Sequence, residues 1–362
     1  MDRRRHNSGG SGTALRVCER VQLSRLSRQG EMPVSITSMF SDAEDFEAAL
    51  GEEGCLSLLV TGVGSFQAQL TEIALHRLWL SATDEHLPRI TLVAVPAEMI
   101  LVTVPSGSGA SPIWGGVRLG AAEIMTLGGG QCLHMRTDGP CRWSAIWVPA
   151  PELVRYGSAL TGANFHVPTT ARWWQPRPSM GRYLGQLHSA AIRAIERRSI
   201  ALIGAETAHG LEQQLIEALV ECFSKGLEIE TPTTTNEHQD VACRFEALLH
   251  AQPNRHFRMA EICAALDVST GVLRLACEEQ LGMDPTEYVS RRRMQLVHRA
   301  LLNGNPGPAN ISAIARRHGF RSLGRFAADY RAIYGELPTE TLRRRSGQAS
   351  GRLRLRRRRR QA

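Results

Sequence analysis

The apolar positions of this chain follow two different periods. From 55 to 148 they come as short alternating or solid runs, CLSLLVT, FQAQLTEI, ITLVAV, MILVTV, AEIMTL and RWSAIWV, broken by Gly, Pro and Asp. Many short runs separated by turn signals predict an antiparallel sandwich or barrel. Ahead of them, FSDAEDFEAALG reads as a short helix ending at Gly51. After Pro149 and Pro151 the period becomes helical. PELVRYGSAL, MGRYLGQLHSAAIRAIERRS and AETAHGLEQQLIEALVECFSKG are predicted helices, the last with Leu211, Leu215, Leu219 and Phe223 on one stripe. EIETPTTTNEHQD is polar, Thr-rich and proline-broken, which predicts an interdomain linker over 228–239. From 240 to 343 the pattern is helical throughout. The fold class expected is therefore α+β: an antiparallel β domain with following helices over 32–227 (strands 55–148, helices 151–226), then an all-α domain over 240–343. Residues 1–31 and 344–362 show no periodicity, which predicts a disordered basic N-terminus and a disordered Arg-rich tail.

Inside the helical region one phrase is written twice. GMDPTEY at 282–288 returns as GELPTET at 335–341, so Gly282 and Gly335 stand at an offset of 53 residues. At that offset Ser269, Leu273, Cys277 and Leu281 match Ser322, Phe326, Tyr330 and Tyr334; before the serine the offset is one residue shorter. Each unit has the layout of a helix-turn-helix, over 259–280 and 311–334. A short first helix carries a small residue for a close crossing (Cys263 or Ala264, and Ala315). A turn follows, with Gly319 free to take a positive φ. Ser269 or Ser322 then stands where it can cap the second helix. The i, i+4, i+8 apolar stripe of that helix faces inward, so Gly271, Arg274 and Leu275 in one unit, and Leu323, Gly324, Arg325 and Ala328 in the other, point out. Gly282 and Gly335 stop the second helices, and Pro285 and Pro338 start the next ones. The helix from Pro285 to Leu302 joins the two units.

Charge adds to this picture. The net charge is +8, but 31–239 holds 13 basic and 22 acidic residues, whereas 240–345 holds 16 and 11 and the tail 346–362 has seven Arg and no acid. An acidic body beside a basic helical block is the electrostatic footprint expected for a polyanion partner such as double-stranded DNA. Enzyme chemistry has no comparable support. TGVGSF lacks the third glycine of a dinucleotide loop, LGGGQC sits between strand-like runs, and G-x-S-x-G, P-loop and H-E-x-x-H motifs are absent. No cofactor or metal is expected. The eight cysteines form no C-x-x-C pair and read as reduced, buried small hydrophobes. The absence of an apolar run long enough to span a bilayer predicts no membrane partner and a cytoplasmic protein.

The residues Pro285-x-x-Tyr288-Val289-x-x-x-Arg293-Met294 and Ile314-Ala315-x-x-x-Gly319-Phe320-x-Ser322-x-x-x-Phe326-x-x-x-Tyr330-Arg331-x-x-Tyr334-Gly335-x-x-Pro338 resemble the AraC/XylS family of bacterial transcriptional regulators. The resemblance covers 240–343 and extends more loosely to a cupin-like regulatory β domain over the N-terminal region. It implies a sequence-specific DNA-binding regulator, a small-molecule effector at the β domain, a homodimer, and RNA polymerase as the partner of an activator. One departure is Ala328, where many members carry Arg. Outward position makes Gly271, Arg274, Leu275, Leu323, Gly324, Arg325 and Ala328 the candidate base readers, and Ser269, Arg321, Ser322 and Arg331 the candidate phosphate contacts. Trp79, Arg77 and Trp143 are weaker candidates for an effector pocket. Two other readings compete: an architectural DNA-binding protein without an effector, and a cupin-type enzyme, which would need a metal cluster drawn from His76, His86 and His134.

Overall fold

The computed structural model describes residues 34–51, 54–105, 110–197, 204–230, 233–303 and 308–343; the basic N-terminus and the Arg-rich tail lie outside these. Thirteen described strands form two antiparallel sheets. They are β1 (Val34–Phe40), β2 (Cys55–Val60), β3 (Ala68–Ala74), β4 (Trp79–Glu85), β5 (Arg89–Ala94), β6 (Met99–Val104), β7 (Ile113–Trp114), β8 (Val117–Arg118), β9 (Ile124–Leu127), β10 (Cys132–Arg136), β11 (Cys141–Pro149), β12 (Arg172–Gln175) and β13 (Leu227–Ile229). The large sheet runs β1-β3-β4-β11-β6-β9-β12-β13 and the small one β2-β5-β10-β7-β8. β1, β12 and β13 fall outside the expected strand region. β1 is half exposed in strict alternation, and its apolar positions are diluted by Ser and Thr, so only pairing with β3 reveals it.

Period-2 alternation builds the layers. Along β11, Trp143, Ala145 and Trp147 point between the sheets, where they meet Leu58, Val93, Trp114, Leu133 and Trp173. Ile146 and Val148 point the other way, onto Leu80 and Val102 and a layer of three helices. These are α2 (Ala150–Thr161), α3 (Pro178–Glu196) and α4 (Ala205–Lys225), preceded in the chain by the short α1 (Ala43–Gly51), which packs on β2. The space between the sheets is apolar and aromatic, yet the Arg89–Glu85 ion pair is fully buried in it. Arg89 donates to both oxygens of Glu85 and to Thr91, and the Trp143 indole donates to Glu85 at 2.6 Å. Trp143 is thus a packed hydrogen-bonding residue, and Arg77 lies on the helix side near Glu152 and Tyr156.

The helical domain starts earlier than expected. β13 ends at Ile229 and α5 runs Thr233–Ala251, so most of the stretch read as a linker is the first turns of a helix. Its polar residues mislead because α5 is only weakly amphipathic and its threonines stand at the N-terminal end, where such residues are at home. Then follow α6 (Met259–Leu266), α7 (Thr270–Leu281), α8 (Pro285–Asn303), α9 (Pro308–Arg317) and α10 (Leu323–Tyr334), with a further helix from 338 to 343.

This domain sits on the outer face of the small sheet. Leu59 and Ile90 share one core with Val241, Phe245 and Leu249 of α5 and Leu273 of α7. Around that core, polar side chains of the helical domain donate to backbone carbonyls of the β domain: Gln239 to Cys132 at 3.0 Å, Gln280 to Gly115 at 3.2 Å, Arg291 to Thr61 at 3.0 Å and Gln295 to Leu58 at 2.5 Å. Arg299 of α8 pairs with Glu44 and Glu47 of α1. No described helix is long and apolar enough to cross a membrane.

Candidate nucleic-acid interface

Two helix pairs carry the candidate residues, and local chemistry shapes each. In the first, the Glu261 carboxylate accepts the Arg258 N–H at 2.7 Å and starts α6. Asp267 closes it in the left-handed region at φ 54. The Val268 N–H then bonds the Cys263 carbonyl at 3.1 Å. Ser269 Oγ accepts the Val272 N–H at 3.2 Å and caps α7. Leu273, Ala276, Cys277, Gln280 and Leu281 are buried, which leaves Gly271, Arg274 and Leu275 facing solvent. Of the two small residues considered for the crossing, Cys263 is the buried one and Ala264 is exposed.

The second pair repeats the plan with one change. Gly319 takes φ 88, and an added Cβ would meet the His256 ring at 2.6 Å, so the turn needs glycine for both conformation and space. Ala315 is fully buried, and Phe326 and Tyr330 fill the core beneath α10. Ser322 occupies the cap position but its side chain makes no capping bond; only its carbonyl accepts, from Phe326 at 2.9 Å. Gly324, Arg325, Ala328, Arg321, Ser322 and Arg331 are exposed, and Leu323 is half-buried. Both second helices, α7 and α10, are followed by a glycine at φ 72.

The two faces are chemically alike. Each shows a glycine in the first helical turn whose missing Cβ would meet open space: Gly324 has no neighbour within 4 Å, and Gly271 has only its own cap, Ser269 Oγ, at 3.8 Å. Packing therefore does not ask for glycine there, although glycine costs a helix about 1 kcal/mol relative to alanine. Each face also shows an arginine tethered one turn along its own helix. Arg274 Nε lies 3.5 Å from Glu278 and Arg325 Nε 3.8 Å from Asp329, both solvent-exposed pairs.

What joins the units is α8, whose 19 residues span roughly 28 Å. Tyr288 is buried against Phe245 and donates to Glu246 at 2.5 Å, and Arg292 pairs with the same carboxylate. At the other end His298 stacks on Tyr334 at 4.1 Å and bonds the Tyr330 hydroxyl at 2.6 Å. A second joint was not legible in the sequence: His256, just before α6, bonds the Arg317 carbonyl at 3.2 Å beside Gly319. A lone exposed histidine in a loop carries no pattern that marks it as a bridge.

The three histidines that a metal enzyme would need do not converge. His76 and His86 are exposed at opposite ends of β4. His134 points away from the sandwich and lies buried beneath the helical domain, where burial pulls its pKa down to about 4. Among the described residues no group of three His, Cys, Asp or Glu is placed to hold a metal ion.

Residues 262–344 match the model of a family described as a helix-turn-helix domain. The same C-terminal part of the chain is similar to regulators of the AraC/XylS type. It is 32% identical over 95 residues to the probable thc operon regulatory protein of Rhodococcus erythropolis, a match covering 26% of this chain and 29% of that protein. It is 34% identical over 88 residues to XylDLEGF operon transcriptional activator 1 of Pseudomonas putida, covering 24% of this chain and 26% of the other. These matches span less than a third of either relative's length. Among solved structures, that of the AraC-like transcriptional activator CuxR is similar at 14% identity and a TM-score of 0.40, over 72% of this chain and 94% of that one.

Proposed function

We propose that this chain is a transcriptional regulator of the AraC/XylS type, which reads two adjacent major-groove segments of double-stranded DNA under control of its β domain. The observation that carries the reading is the pair of outward faces, each with an unpacked glycine and an exposed arginine, presented by two similar units on one rigid helix. Successive major grooves on one face of DNA repeat at about 34 Å, and α8, with its 19 residues, sets the separation of the two units that would enter them. In this reading Arg274 and Arg325 exchange their weak tethers to Glu278 and Asp329 for guanine O6 and N7. Gly271, Gly324 and Ala328 let the groove approach the backbone, and Leu275 and Leu323 touch thymine methyls. Ser269, Ser322, Arg321 and Arg331 hold phosphates.

Control passes through the end of the first reading helix. Gln280 and Gly282, at the C-terminal end of α7, lie against Gly115, in the turn between β7 and β8, and Arg136 of β10. A small molecule that shifts that sheet moves the reader without touching DNA. The Trp114, Trp147 and Trp173 indole N–H groups are buried between the sheets with no hydrogen-bond partner among the described residues; they are donors that a bound effector with acceptor atoms would satisfy. The Arg-rich tail adds nonspecific, salt-sensitive affinity through counterion release. A homodimer and contact with RNA polymerase complete the regulator.

The deciding experiment is selection of bound duplexes from a random pool with the full chain, followed by footprinting. The expected result is a motif with two half-sites on one DNA face. Recovery of duplexes with no sequence preference overturns base reading and leaves an architectural role.

A further inference from the structure

Cys132 in β10 and Cys243 in α5 belong to different domains and meet across the joint between them. Cys243 Sγ lies 3.5 Å from the Cys132 carbonyl oxygen, and the two thiols are within hydrogen-bonding reach of each other. Gln239, one turn earlier on α5, donates to the same carbonyl at 3.0 Å, so helix and strand are held in register at this point. Both cysteines are partly exposed, whereas Cys141, Cys222, Cys263 and Cys277 are buried. Cys55 is also partly exposed, but burial of its sulfur pushes its thiol up to about 12, and its Sγ bonds only a backbone carbonyl.

We propose that Cys132 and Cys243 are an oxidisable dithiol, and that a hydroperoxide converts them to a disulfide that covalently fastens the β domain to the DNA-binding domain. The two sulfurs have unequal roles. The Cys243 S–H is engaged with the Cys132 carbonyl oxygen at 3.5 Å, which leaves the Cys132 sulfur as the one that attacks first, as its thiolate. Its sulfur bonds the terminal oxygen of the hydroperoxide, the O–O bond breaks, and the alkoxide leaves as the alcohol after taking a proton. Cys132 is then a sulfenic acid. The Cys243 sulfur attacks it, the S–S bond forms, the S–O bond breaks, and hydroxide leaves as water with the Cys243 proton. Two thiols are oxidised and one hydroperoxide is reduced to an alcohol and water.

The consequence follows from position. α5 carries Glu246, which anchors Tyr288 and Arg292 of α8, and it packs on α7. A bond from α5 to β10 keeps the first reading helix docked on the small sheet when other contacts at the joint loosen.

The test uses the reduced full-length protein and tert-butyl hydroperoxide. After oxidation, free thiols are alkylated and peptides are mapped by mass spectrometry without reductant. The expected product is a monomer two hydrogen atoms lighter, with the Cys132 and Cys243 peptides joined, reversed by dithiothreitol and absent in Cys132→Ser. These two thiols should be lost roughly tenfold faster than Cys141, Cys222 or Cys277. In Cys243→Ser, Cys132 should stop at the sulfenic acid and be trapped by dimedone. Cys132 and Cys243 recovered as separate alkylated thiols, or a cross-link formed by other cysteines, overturns the proposal. The readout needs no DNA, so its failure is separate from failure of the DNA-reading proposal.

Discussion

The two helix-turn-helix units are near copies in outline and differ in what lies behind them. The first has its core merged with the β domain: Leu273, Cys277 and Leu281 share one apolar cluster with Leu59 and Ile90 of the small sheet. The second has its own small core, Met294, Val297, Leu301, Ala315, Phe326, Tyr330 and Leu342. Aromatic rings make up for its size, with Phe320, Phe326, Tyr330 and Tyr334 in successive contact at 4.6 to 5.7 Å. Its tie to the β domain is looser: a cavity of about 480 Å³ separates Tyr334 and Glu336 from Asp42 and Phe66. The lesson is that one unit is placed to feel the state of the β domain, and the other depends on its own packing and on α8.

The largest expected effects test that division. Phe326→Ala should cost about 3–5 kcal/mol and Leu273→Ala about 2–5 kcal/mol. Hydrogen exchange should show the first confined to α9, α10 and the helix from 338, and the second spreading into α5 and β10. Equal spreading from both would dissolve the comparison. Next, Arg274→Ala and Arg325→Ala should each cost roughly 1–3 kcal/mol in affinity and relax preference at a different base pair. If the effector acts through the docked unit, its effect on affinity should survive Arg325→Ala and depend on Gln280, which a binding titration with and without effector would read.

A smaller effect separates the caps. Ser269→Ala should cost about 1 kcal/mol, because it leaves the Val272 N–H without its acceptor. Ser322→Ala should lie within about 0.5 kcal/mol of zero, because no capping bond is lost. Urea midpoints of the two variants decide the matter.

The smallest effect concerns the joint at α8. Burial raises the Glu44 carboxyl from 4.5 to about 7, with Arg299 opposing and Asp42, Glu47 and Asp45 adding to the rise; Glu47 is raised in the same way. A carboxyl whose folded pKa is raised favours the folded state when protonated. Between pH 4.5 and about 7 the unfolded chain therefore holds fewer protons, and stability falls as pH rises through that window and levels off above it. Glu44→Gln should flatten that part of the stability profile. An unchanged profile would mean that Arg299 keeps the carboxylate charged throughout.

Much of the candidate DNA-binding surface was legible because helix-turn-helix geometry is local. The i, i+4, i+8 stripe, a cap, a turn glycine and a stopping glycine settle which residues of α7 and α10 face out. The structure corrects the plan only in detail, as with Ser322, whose side chain does not cap. The strand region was legible as a class, but β1, β12 and β13 were not, since short or Ser/Thr-rich strands declare themselves only through a partner. The linker expectation failed for a similar reason: polar residues at the start of α5 look like a loop until the helix behind them is seen to pack.

By itself, then, the sequence determined two helix-turn-helix units, their outward residues, the brace between them and a β domain ahead of them, because each rests on periodicity or on residues a few positions apart. Only the tertiary structure decided that the outer face of the small sheet is the seat of the first unit, that His256 bridges the two units, and that Cys132 meets Cys243. Those contacts join residues from 61 to 165 positions apart or more. No local pattern encodes such pairs, since they arise only when the apolar surfaces of separate elements are buried against each other.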